Sequence, residues 1–144
     1  MTTSEFLSLM QSRGAIIAPP AHQNQITLLN GALQQRRYAI LPAVLSELYQ
    51  HAGAINLDTG YILGPNEIKR QKTFPIPSIL KYNDDLSKLG KSFGKTIFGR
   101  NDLFWFAFDA FGNVYMLDNL TLSPLRKYDD PHRALIDCLI AGKI

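Results

Sequence analysis

Residues 101–118, NDLFWFAFDAFGNVYMLD, decide the fold. Between Leu103 and Phe108 an extended chain would place Phe104, Phe106 and Phe108 on one face and Leu103, Trp105 and Ala107 on the other. Both faces are apolar, so the segment is expected to be a strand covered on both sides. Asp109-Ala110-Phe111-Gly112-Asn113 has the length and composition of a hairpin loop, with a glycine suited to positive φ. Asn113 to Leu117 then reads as the returning strand. Three acids, Asp102, Asp109 and Asp118, bracket this aromatic block. They admit two readings: a small hydrolase using Asp109 and Asp118, or turn aspartates that accept hydrogen bonds from backbone amides two residues on. Turn chemistry accounts for both Asp109 and Asp118.

Working outward, Thr96 to Phe98 and Leu125 to Tyr128 supply the flanking strands of a meander. Asp130-Pro131 opens a closing helix, with aspartate as cap and proline at the first position. Leu135, Cys138 and Leu139 face the core of that helix, and Gly142 ends it. Upstream, helical spacing marks Thr3 to Arg13 as a short amphipathic helix that packs loosely or caps the fold. Ala18-Pro19-Pro20-Ala21 breaks the chain, and Gln23 to Tyr38 repeats Ile26, Leu29 and Leu33 on one face. Leu41-Pro42 starts a third helix with Leu41, Leu45, Leu48 and Ala52 on one stripe and Gly53 as its cap. Tyr61-Ile62-Leu63 is a short strand, Asn66 to Lys69 a helical turn, and Phe74-Pro75-Ile76-Pro77 extended backbone. Ile79, Tyr82, Leu86 and Leu89 return to helical spacing up to Gly90. Helices, then an antiparallel meander, then a closing helix make an α+β pattern.

Composition narrows the function classes. A chain of 144 residues is one domain, long enough to bury a core without metals or disulfides. Fifteen Lys plus Arg against twelve Asp plus Glu give a net charge of +3, and the cations form short pairs such as Arg36-Arg37 and Lys69-Arg70 but no block of five or six. That distribution lacks the basic stripe a nucleic-acid binder presents. Cys138 is the sole cysteine, which fits a reducing compartment. The N-terminus has no signal-peptide pattern and no apolar run approaches membrane length, so a cytoplasmic protein is expected. In that compartment the sequon Asn119-Leu120-Thr121 has no role.

Several chemical motifs are incomplete. Gly90-Lys91-Ser92 and Gly94-Lys95-Thr96 resemble the tail of a phosphate loop, but the preceding glycine falls on Asp85 or Leu89. His22, His51 and His132 lie on separate elements without ligand-spaced neighbours, so no metal is expected. Cys138, on an apolar helical stripe, reads as a core residue rather than a nucleophile. No Gly-x-Ser-x-Gly elbow occurs. Adjacent acids on a helix diverge by about 100°, so Asp84-Asp85 and Asp129-Asp130 do not aim paired carboxyls at one atom. No catalytic residue and no cofactor site follow from the residues.

One pattern spans roughly residues 30–140. Leu41-Pro42 opens a helix that ends in Tyr49, a few residues and Gly53. Ile62-Leu63-Gly64 and Glu67-Ile68 follow, then the aromatic hairpin with Asp109, Gly112-Asn113 and Tyr115-Met116-Leu117-Asp118, and a final helix from Pro131 to Leu139. The usual asparagine-glycine-glycine run is reduced to Ala52-Gly53-Ala54. In order and spacing the chain resembles the SUKH superfamily of bacterial immunity proteins, in the branch related to the yeast Smi/Knr cell-wall regulator, and within it the YrhA-type proteins.

The resemblance implies a single α+β domain over residues 1–144 with a mixed, mainly antiparallel sheet flanked by helices. Residues 1–22 would form an N-terminal helix and proline-containing connector, and the core would run from about 23 to 141. It implies a non-catalytic, cytoplasmic protein that binds and neutralises a cognate toxin, a nuclease or other effector enzyme. The alternative is a regulatory or scaffold module of the Smi/Knr type without a toxin partner. Nuclease inhibitors often present acidic faces, and this chain is basic overall. Either its acids are concentrated locally, with Asp84, Asp85, Asp129 and Asp130 as the partner-binding candidates, or its toxin is not a basic nuclease.

Overall fold

The computed structural model describes residues 1–69, 75–88 and 94–140. In chain order the elements are α1 (Thr3–Ser12), β1 (Ile16–Ile17), α2 (Gln23–Gln35), α3 (Ala43–Tyr49), β2 (Ile55–Leu57), β3 (Gly60–Ile62), β4 (Ile68–Lys69), β5 (Pro75–Ile76), α4 (Ile79–Lys88), β6 (Lys95–Arg100), β7 (Phe104–Asp109), β8 (Val114–Asp118), β9 (Pro124–Tyr128) and α5 (Pro131–Ile140). Seven strands form one sheet in the order β1-β2-β3-β6-β7-β8-β9, and β4 pairs with β5 separately. Every described pairing is antiparallel. The α+β class holds.

The strand β7 lies inside the sheet, buried on one face and covered over part of the other. On one face Phe106 and Phe108 are fully buried with Phe98, Val114 and Tyr128 beneath α5. Phe98 stacks on Phe108 with ring centroids 6.1 Å apart and tilts against Phe106 at 6.5 Å. On the other face Ala107 packs with Ile97, Leu117 and Leu86 of α4. The aromatic run is therefore central strand, as its two apolar faces require.

Close approach of α5 to the sheet depends on two glycines. A Cβ at Gly60 would lie 2.5 Å from the Cys138 carbonyl oxygen, and one at Gly99 would lie 2.9 Å from the Cys138 sulfur. Gly99 also sits at a register shift between β6 and β7. Phe98 follows Thr96 onto the main-core face by ordinary alternation, and the extra residue of the bulge puts Arg100 opposite Trp105 on the other face. Asn83 of α4 secures the same place: its side chain accepts from the Ile97 amide and donates to the Ile97 carbonyl, both at 2.8 Å.

Three readings of the sequence need correction, and two short strands go unread in it. The helix α1 is no loose cap, because Phe6 and Met10 are wholly buried in the main core, which therefore takes in residues before 23. The connector is stitched down by Ala18 N–H to Ala54 O at 2.9 Å and Ala21 N–H to Tyr49 O at 2.8 Å. Residues 55–57 and 16–17 form strands that no long alternation announces, because two- and three-residue strands are too short to show one. Ile68–Lys69 is a strand rather than a helical turn, paired with Pro75–Ile76. Gly53 does not cap α3, whose cap is Gln50. It is glycine because a Cβ there would lie 2.5 Å from the Pro19 carbonyl oxygen. Phe74, Leu89, Gly90 and Gly142 lie outside the described residues.

Gly31 is different in kind. It sits within α2 with nothing inside 4 Å of where a Cβ would be. Gly31→Ala is expected to stabilise the protein by about 0.5–1 kcal/mol through helix propensity and a less flexible unfolded chain. Thermal unfolding followed by circular dichroism should show a rise of about 2 °C.

Candidate functional site

Two of the acids that bracket the aromatic hairpin, Asp109 and Asp118, are turn residues. The Asp109 carboxylate accepts from Phe111 N–H at 2.9 Å, Asn113 N–H at 3.0 Å, the Asn113 amide at 3.2 Å and the Tyr115 hydroxyl at 2.9 Å. Burial works to raise its pKa, and these hydrogen bonds outweigh it, so the carboxyl lies below the ordinary aspartate value. Asp118 accepts from Thr121 N–H at 2.9 Å and Leu120 N–H at 2.8 Å, which likewise lowers its pKa.

The two are also far apart. Asp118 pairs with Phe104, at the opposite end of β7 from Asp109. At about 3.3 Å per residue that separates them by roughly 16 Å, and the alternation of β7 puts them on opposite faces. A carboxylate pair serving one glycosidic bond spans about 5–9.5 Å. The joint hydrolytic role of Asp109 and Asp118 is thus excluded by geometry.

Asp109 carries a pH signature. Its folded pKa lies below the unfolded value of about 3.9, so its contribution is fully present above that pH and is lost as pH falls through the folded pKa. Asp109→Asn should lower the melting temperature by about 3 °C at neutral pH. That difference should close progressively below about pH 4. Paired melts of the two proteins across acid pH check both statements.

The partner-binding candidates separate into two places. Asp84, on α4, pairs with the Arg36 guanidinium at 3.0 Å and accepts from the Tyr38 hydroxyl at 2.8 Å. Asp85 pairs with Lys81 at 3.3 Å. Asp130 caps α5 by accepting from His132 N–H at 3.0 Å, as its place before Pro131 predicts, while Asp129 beside it is exposed. Three of the four acids thus have an intramolecular partner. The two doublets sit on elements that cover opposite faces of the sheet.

Cys138 is buried against the sheet, its thiol 3.3 Å from the Tyr61 carbonyl oxygen. Burial pushes its pKa well up, which leaves no thiolate for nucleophilic chemistry. Gly94 has φ of 74° and Lys95-Thr96 enter β6, so this glycine-lysine turn leads into a strand, not a helix. Gly90-Lys91-Ser92 falls outside the described residues. Among the described residues no three His, Cys, Asp or Glu side chains converge on a metal-sized site. No helix among them is long and apolar enough to cross a membrane.

An accessible feature among the described residues is the sheet face that carries Trp105. By register it collects Tyr61 and Arg100, Trp105, Asp109 and Lys95, Tyr115 and Lys127. The helix α4 covers this face over Ile97, Ala107 and Leu117 and touches Trp105 at its edge through Tyr82. Trp105 and Tyr115 remain half-buried, and Arg100 and Lys127 are exposed. Tyr82 meets Trp105 edge-on, with centroids 6.0 Å apart at 71°, and the Lys95 ammonium sits 5.1 Å from the Tyr115 ring centre.

Next to this face, the turn after β6 and the turn after β8 are tied by the Asn119 amide donating to the Asp102 carbonyl at 3.3 Å. Together with the start of β9 they expose Leu103, Leu120 and Leu125 at 61%, 83% and 51%. Sequence reading missed this surface because its cations lie on β6 and β9, whereas its tryptophan lies on β7. The available signal was the period-two placement of Lys95 and Lys127 opposite the hairpin. Comparison with family models, with curated proteins and with solved structures finds no match for this chain.

Proposed function

We propose that this chain is a non-catalytic binding protein, an immunity protein that occludes a cognate bacterial toxin. The observation that carries the reading is the half-covered sheet face with its adjoining leucine-bearing turns. Tyrosine, tryptophan and arginine are the side chains most enriched where proteins bind one another. Exposed leucines at 61%, 83% and 51% on neighbouring turns extend the apolar contact such a surface offers. The rigid sheet beneath fixes these groups before binding, which reduces the ordering cost of association. The likeness to the SUKH superfamily in the order Leu41-Pro42, Tyr49, Gly53, Gly64 and the Asp109 hairpin supplies the toxin as the class of partner.

Coexpression tests the reading. Cells that produce the toxin encoded beside this chain should survive when the chain is present and die when it is absent. No adjacent toxin and no rescue would contradict it, and capture of a constant endogenous partner would favour the regulatory module instead.

A further inference from the structure

We infer that the Trp105 face docks an acidic surface of a protein partner. Lys95, Arg100 and Lys127 supply the charge, and Trp105, Tyr115 and Tyr82 the apolar contact. This rests on the binding-protein reading and adds the chemistry of what is bound.

Charge complementarity points to the occupant. Among the described residues that the strand register places on this face, three are cations and one, Asp109, is an acid. The Asp109 carboxylate already accepts four hydrogen bonds, three from its own turn and one from the Tyr115 hydroxyl on β8. Next to the face on α4, Asp84 and Asp85 are neutralised by Arg36 and Lys81. The strand face is therefore net positive, and an acidic partner gains both attraction and steering from it.

The rings decide between an acidic protein and a single-stranded nucleic acid. A nucleotide platform needs successive free ring faces on which bases stack. Here the Lys95 ammonium lies over the Tyr115 ring, and the Tyr82 ring packs edge-on against Trp105. Tyr82 also accepts a long hydrogen bond of 3.5 Å from Arg100, which draws the guanidinium to the same spot. Rings engaged in this way present edges and bound cations, the arrangement of a protein interface anchor.

Trp105 is the sole tryptophan and lies on the surface in question, so its emission reports occupancy. The purified protein is titrated with an alternating Glu-Leu peptide and, separately, with oligothymidylate of matching length. The peptide should change Trp105 emission saturably, with affinity falling as salt rises. The double substitution Arg100→Glu with Lys127→Glu should weaken it by about tenfold or more. Lys127→Glu alone, on an exposed edge strand, guards against a folding defect, which circular dichroism would reveal.

No saturable response to the peptide, a response to oligothymidylate alone, or undiminished peptide affinity in the folded variants would overturn the proposal. Peptide binding as described by a protein that protects against no toxin would leave the docking face standing and remove the immunity reading. Protection retained in full by the double variant would do the reverse.

Discussion

Gly64→Ala is expected to destabilise the protein by about 3 kcal/mol or more. Gly64 follows β3 at the point where that strand leaves the sheet. A methyl group there would overlap the Gly53 carbonyl oxygen and press on the Ala54 side chain. The clash is with backbone, which has no rotamer to yield. Gly53 in turn is held by its amide to Pro19 O at 3.0 Å, and Gly64 O accepts from Ile79 N–H at 2.9 Å. The new methyl thus pushes simultaneously on the connector, the end of α3 and the start of α4. Since about 1 kcal/mol shifts the melting temperature of a domain this size by roughly 2–4 °C, a fall of about 10 °C is expected in thermal melts. A melt within 1 °C or so of the parent would contradict the crossing of these two glycines.

Asn83→Leu is the second large effect, expected at about 3 kcal/mol. Asn83 is 6% exposed and completes both backbone groups of Ile97 at the bulge, while also donating to Ile79 O at 2.8 Å. Leucine fills nearly the same volume but leaves the Ile97 N–H and C=O without these partners. Each orphaned buried group costs about 1–3 kcal/mol. The substitution also loosens α4 from β6, and Tyr82 with it. Denaturant unfolding should show a lower midpoint, and Trp105 emission of the folded variant should shift because Tyr82 packs against that ring. Unchanged emission with unchanged stability would show that the bulge holds without Asn83.

The sequence makes some elements legible and hides others for physical reasons. The aromatic strand is readable because six consecutive residues from Leu103 to Phe108 alternate between two apolar faces. The closing helix is readable from Asp130-Pro131, whose capping and fixed φ act locally. Ile16–Ile17 is hidden because it pairs with distant chain at Ile55 and Asn56, and Ile68–Lys69 because two residues are too short to show an alternation. The glycines at 53, 60, 64 and 99 look like turn residues in sequence, yet none has positive φ and each answers a tertiary contact.

The site divides in the same way. Turn roles for Asp109 and Asp118 follow from local chemistry, and the structure places their hydrogen bonds accordingly. The acids 84, 85, 129 and 130 stand out in sequence as doublets, but the pairing of Asp84 with Arg36 spans 48 residues and is invisible there. The placement of Lys95, Arg100 and Lys127 on the face that carries Trp105 depends on strand register, which no single segment encodes.

The most direct measurement of the proposed immunity role is a calorimetric titration of the purified chain into a toxin that such a role requires beside it, with Trp105 emission and toxin activity followed in parallel. A saturable complex that abolishes toxin activity, alters Trp105 emission and weakens with added salt is the predicted result. A chain that forms no complex, or one that binds while toxin activity and Trp105 emission stay unchanged, would contradict the account.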